Sequence, residues 1–158
     1  MFRLFRGFCL LTTLLCGGGA AFAAASPPAP PLGNWLTANH AAVIQVAPCG
    51  GALCGRIVGI ALKHQTDPMP LNWRGQPQCG EPILKTALVT GDNGASAWVG
   101  TVQDPRNGDI YQASIRLDAD HHLRMHGYLG LPIFGQTQTW LPYTGQIPVG
   151  CKLPRAPG

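Results

Sequence analysis

The sequence has little from which to build an acid–base site. Only 11% of its 158 residues are charged, and Glu81 is the only glutamate. A paired-carboxylate hydrolase would have to use aspartates, and most of these sit in turn signals. There is no G-x-S-x-G run, and Ser96 and Ser114 have no recognisable base. An enzyme is therefore not expected. Basic blocks are missing too: 11 Lys and Arg face 7 Asp and Glu, a formal charge of +4. Nucleic acid is not an expected partner. The chain lacks C-x-x-C spacing, which argues against a redox dithiol and against zinc. No helix of ordinary length is visible, and no apolar run is long enough to span a membrane.

What is present begins with an address. Arg3 and Arg6 form a basic n-region, residues 8–16 are apolar, and Ala21-Phe22-Ala23 and Ala23-Ala24-Ala25 offer small-residue cleavage sites. Residues 1–25 therefore read as a secretory signal peptide, and the mature protein is expected in the periplasm or outside the cell. Cys16 follows Leu15 rather than a small residue, so plain cleavage is expected instead of lipid attachment. Cys9 and Cys16 leave with the signal. Cys49, Cys54, Cys79 and Cys151 remain, an even count that reads as two disulfides in an exported chain.

The stretch 43–60, VIQVAPCGGALCGRIVGI, reads as two β-branched strands around a Gly-rich turn. With Gly51-Ala52 as a type II′ loop, Cys49 lies directly opposite Cys54. Such a non-hydrogen-bonded pair puts the Cα atoms about 4.5 Å apart, within disulfide range. Pro48 cannot donate to the ladder and favours a bulge there. A local Cys49–Cys54 bond leaves Cys79 to pair with Cys151, which would pin the C-terminal tail to the middle of the domain.

The rest of the chain is organised by turns. Residues 26–32 form a Pro-rich leader, expected to be extended and disordered. Trp35 opens the domain as a core aromatic. Residues 63–80 form a long loop with three prolines, in which Trp73 is expected to cap the core. Strand-like runs follow at 83–89, 97–103, 111–117, 123–129 and 133–141, separated by turn signals that include Asn107-Gly108. Seven or eight short strands with frequent turns predict an all-β fold, a small antiparallel up-and-down barrel. The expected layout is one barrel domain at 33–153 and a short tail at 154–158.

The GNW start, the CGGALCGRI hairpin, the DPRNGDIY turn and the HGYLGLPIFGQTQTW block together resemble the domain of unknown function 2147 family of exported bacterial proteins. The resemblance covers residues 33–140. It implies export and an all-β fold, and it implies no reaction. The G-x-W start followed by an up-and-down strand series also resembles lipocalin-like (calycin) barrels, where that tryptophan packs at the closed end. Here Leu141-Pro142 follow Trp140, where the family often continues with a polar residue and arginine. Trp35 thus lacks the arginine that packs over its counterpart in lipocalins. The Cys79 and Cys151 pair is an addition to the family pattern.

Candidate sites are few. His122 and His126 share a strand face but sit about 13 Å apart, too far to chelate one ion, and His121 lies on the turn before them. Asp104, Asn107 and Asp109 lack the order and the distal glutamate of a calcium loop. No metal or cofactor is implied. The last strand carries the most information. Gln136, Gln138 and Trp140 share one face by the two-residue period, with Phe134 extending it. If that face points inward, the interior holds aromatics and amides, as a small-molecule pocket does. Trp98 and Tyr111 would line the same space. The alternative is a filled barrel with Gln136 and Gln138 in solvent. The expected function is non-enzymatic binding of a small apolar or amphipathic ligand by Trp98, Tyr111, Gln136, Gln138 and Trp140. The alternative is an envelope module that contacts another protein through the 63–80 loop and the barrel surface.

Overall fold

The computed structural model describes residues 26–154. The signal-peptide reading of residues 1–25 lies outside them, as does most of the tail. Among the described residues nine strands form in chain order: β1 (Gly33–Leu36), β2 (Ala42–Cys49), β3 (Ala52–Leu62), β4 (Pro82–Thr90), β5 (Ser96–Gln103), β6 (Ile110–Leu117), β7 (Leu123–Tyr128), β8 (Gln136–Pro142) and β9 (Lys152–Pro154). The first eight are antiparallel neighbours in sequence order, and β1 also pairs with β8, so the sheet closes into an eight-stranded barrel. Closure leaves few strand edges exposed. The fold is the all-β antiparallel barrel that the turn spacing predicts.

Period-two patterning builds the core. Ile44 and Val46 on β2, Leu53 and Ile57 on β3, Ile115 on β6, and Leu123 and Met125 on β7 are all buried in one cluster with Trp35 and Trp140. Burying each such side chain stabilises by about 1.5–3 kcal/mol. Loops 37–41, 63–81, 104–109 and 129–135 gather at one end of the barrel, and turns 50–51, 91–95 and 118–122 at the other.

The hairpin register differs from the predicted one. Gly50 and Gly51, at φ +58° and +80°, form the loop, and Cys49 faces Ala52. Two consecutive positive φ angles match a type I′ turn, whose twist suits the flanking strands. Cys54 then pairs with Ala47, and the Cys49–Cys54 disulfide runs diagonally across the hairpin with Cα atoms 5.8 Å apart. The predicted bond forms even though the register is shifted. The second bond, Cys79–Cys151, also forms, with Cα atoms 5.7 Å apart.

Two segments beyond the barrel wall matter for the site. The leader has no regular structure, but it is not free. Pro31 is buried and its carbonyl accepts the Trp35 indole N–H at 3.0 Å. The Pro28 carbonyl accepts the Trp98 indole N–H at 3.4 Å. A backbone carbonyl thus takes the polar end of Trp35. The leader thus supplies acceptors to two indoles, that of buried Trp35 and that of half-buried Trp98. At the other terminus, β9 adds parallel to β3 at Ile60–Leu62, beyond the point where β4 leaves it. Leu153 packs over Gly59 and Val43, and Val43 is fully buried. A side chain at Gly59 would occupy the space of Leu153.

The last strand also needs correction. Residues 133–141 were expected to be one strand. Pro132–Phe134 instead form a single 3₁₀ turn, and β8 begins at Gln136. Proline at the first position of that turn loses no hydrogen bond, and the turn closes through Gly135 N–H to the Pro132 carbonyl.

Candidate functional site

The barrel is not filled. A cavity of about 950 Å³ opens at the loop end. Ile44, Ile57, Ile60, Met125 and Trp140 form its apolar floor and lower wall. Trp140 is 2% exposed and pairs with Leu123 across β7 and β8. Register places the amides above it: Gln138 lies opposite Met125 and Gln136 opposite Gly127. Both line the cavity. The Trp140 indole N–H donates to Gln138 Oε1 at 3.0 Å, which fixes the ring and leaves the Gln138 amide N–H₂ free to donate.

Tyr111 lies at the start of β6, opposite Val102, and lines the same space near the mouth. Phe134 reaches the mouth from the 3₁₀ turn rather than from the strand face. Trp98 does not line the cavity. It packs against the core beside Ile115, and its indole points to the leader. The structure therefore brings together four of the five expected ligand-binding residues, Tyr111, Gln136, Gln138 and Trp140, and places the fifth elsewhere.

The rim carries one charged pair. Asp104 accepts from Arg106 Nε at 3.0 Å and from its Nη2 at 2.6 Å. This contact holds the Asp104 carboxyl below its ordinary range, with partial burial opposing the shift. Asn107 Oδ1 accepts the Asp109 N–H and its amide donates to Asp109 Oδ2. The side chains weighed as calcium ligands thus brace their own turn. His122 turns to Asp118, with Nδ1 3.8 Å from Oδ2, not to His126. Asp118, Asp120 and His122 bring ligand atoms within 4.8 Å at the far end of the barrel. Asp118 Oδ1 already accepts the backbone N–H groups of Asp120 and His122.

Loop 129–135 frames the mouth. His126 holds it: Nε2 lies 2.9 Å from the Pro132 carbonyl and Nδ1 2.9 Å from Thr137 Oγ1. A carbonyl can only accept, so Nε2 carries the proton. The loop presents Leu129, Leu131, Ile133 and Phe134 to solvent, with Ile133 80% exposed. Sequence alternation alone did not reveal this apolar rim, nor the floor residues Ile57 and Ile60, which read only as strand formers.

Residues 33–141 match the family model described as uncharacterised proteins conserved in bacteria, DUF2147. The chain belongs to this family. No curated protein and no solved structure matches it. The DUF2147 match runs from Gly33 at the start of β1 to Leu141 in β8, so it takes in the whole barrel and its cavity. It ends before Cys151 and β9. The Cys79–Cys151 bond thus ties the DUF2147 region to a segment beyond it. No helix among the described residues is long and apolar enough to cross a membrane.

Proposed function

We propose that the protein is an exported, non-enzymatic binding protein that holds a small apolar or amphipathic ligand in the barrel. One observation carries the reading: an open cavity of about 950 Å³ with an apolar floor and two amides on its wall. Ligand sites for small molecules have this size and this balance of apolar surface and few polar groups. The Asp and Arg side chains lining the cavity are Asp104 and Arg106, and they neutralise each other, which favours binding over acid–base chemistry. Two disulfides and a bacterial family are compatible with export. Trp140 lies at the floor, Gln136 and Gln138 orient a polar end, and Tyr111 closes the near wall.

Native mass spectrometry of the protein purified from its own envelope tests this. The expected result is a reproducible small-molecule adduct released by mild denaturation. A clean apo mass, together with no uptake of a fluorescent fatty-acid probe, overturns the reading.

A second reading, an envelope module that contacts another protein, is favoured by the exposed apolar residues Leu129, Leu131, Ile133 and Phe134. Contiguous exposed apolar surface marks interaction sites. The contact would lie on loop 129–135 more than on loop 63–80, where Leu71 and Trp73 are the large exposed apolar side chains. Under this reading Ile133→Ser, at a rim residue that does not line the cavity, abolishes envelope cross-links and leaves cavity uptake intact.

A further inference from the structure

A second cleft, about 410 Å³, opens between loop 63–81 and the start of β4, beside the barrel mouth. Glu81 lines it and is only 8% exposed. Its position is set by backbone bonds: the Glu81 carbonyl accepts the Ile57 N–H at 3.0 Å, and its N–H donates to Gln78. Asn72, also buried, donates its side-chain amide to Glu81 Oε2 at 2.8 Å. Asn72 cannot turn away, because its own Oδ1 accepts the N–H groups of Arg74 and Gln76, each at 2.9 Å.

The other carboxylate oxygen, Oε1, has no partner among the described residues. It is not sealed in the core but opens on the cleft. The ion pairs of the described residues are Arg106 with Asp104 and His122 with Asp118, and neither involves Glu81. A buried carboxylate without a cation is costly unless something charged completes it. Arg74 also lines the cleft, but its guanidinium stacks 4.2 Å above the Trp73 ring. Gln103 completes the wall. Its amide N–H₂ donates to the Gly108 carbonyl, which leaves its oxygen to accept. One carboxylate oxygen and amide acceptors leave most of a hard metal ion's six or more oxygens to water. They suit a compact organic cation with N–H donors.

We propose that this cleft is a binding site for the primary ammonium group of a small ligand, with Glu81 as its counter-ion and Asn72 as the residue that holds Glu81 in place. The site lies beside the barrel cavity, with Gln103 on the rim of both, and does not depend on the ligand proposed for that cavity. An ammonium donates to Glu81 Oε1, a charge-assisted bond in a partly desolvated site. Pro77 and Pro82 give the carbon skeleton an apolar surface.

Titration of the full chain, with both disulfides formed, tests this by nuclear magnetic resonance. Ethylammonium is the probe, and tetramethylammonium at equal ionic strength is the control without N–H donors. The expected result is a saturable shift of the Asn72 and Gln103 side-chain amide signals with ethylammonium only. Glu81→Gln is expected to weaken it by roughly tenfold or more, the factor for one charge-assisted bond. If Glu81→Gln fails to give the native spectrum, Gln103→Leu serves in its place and is expected to weaken binding severalfold. An equal response to both cations, no saturable shift in the wild type, or an unchanged affinity in the variants overturns the proposal. So does binding that appears only in Arg74→Ala, because Arg74 would then be the cleft's own occupant.

Discussion

Asp104 and Arg106 stand two residues apart on the turn that enters β6, and their contact carries a pH signature. The side-chain bond from Arg106 lowers the Asp104 pKa. A carboxyl depressed in the folded state stabilises in full above the ordinary aspartate range and loses that contribution as pH falls through its folded value. The turn is therefore expected to weaken only below about pH 4. Carbon-13 titration of the carboxyl checks this, and Arg106→Gln should return Asp104 to the ordinary range. Asp118 behaves alike at the far end, held low chiefly by the His122 backbone N–H. At this scale the sequence was legible in part. Asn107-Gly108 announced the turn, but nothing near Glu81 announced its burial. Its partner Asn72 is nine residues away across a Pro-rich loop, and only the folded loop brings the two together.

Among the elements, the two cross-links are the clearest case. The even cysteine count gave both disulfides, yet the turn was misplaced by one residue. Gly50-Gly51-Ala52 offers two possible loops, and a type I′ pair fits the strand twist better than a single leading glycine. Loss of the two bonds is expected to differ in size. On the chain-entropy model, Cys49–Cys54, with a separation of 5, contributes about 2 kcal/mol. Cys79–Cys151, with a separation of 72, contributes about 4 kcal/mol. Urea denaturation of the two double-alanine variants measures the order. A second expectation concerns loop 129–135. His126→Ala removes its tie to Pro132, so hydrogen exchange at the Phe134 and Gly135 amides should rise while β2 and β3 keep their protection. The 3₁₀ turn was missed because Ile133 and Phe134 continue the apolar alternation. Pro132 and Gly135, which bracket them, were the signal against a strand.

For the whole molecule, the question was whether a small barrel fills itself. The alternation on β8 put Gln136, Gln138 and Trp140 on one face, and closure turns that face inward over an open space. Trp98 obeyed the same alternation but packs toward the leader, whose role no periodicity could display. The two tryptophans therefore separate binding from folding. Trp140→Ala is expected to cost about 3–5 kcal/mol and to weaken uptake of a cavity ligand beyond that loss. Trp98→Phe should leave uptake unchanged and only lower the melting temperature. Thermal melts and probe titrations on both variants make the comparison, and equal effects on uptake would remove Trp140 from the site.

The two cross-links also decide where the molecule can be cut. A single break between residues 80 and 150 leaves both fragments joined through Cys79–Cys151. A break between 55 and 78 does not, because neither bond spans that stretch. Lys63 and Arg74, both exposed, lie within it. A protease that clips after either one breaks the covalent link between β1–β3 and β4–β9 with no reductant present, and the β1–β8 and β3–β4 seams and the β3–β9 pairing then keep the two fragments together.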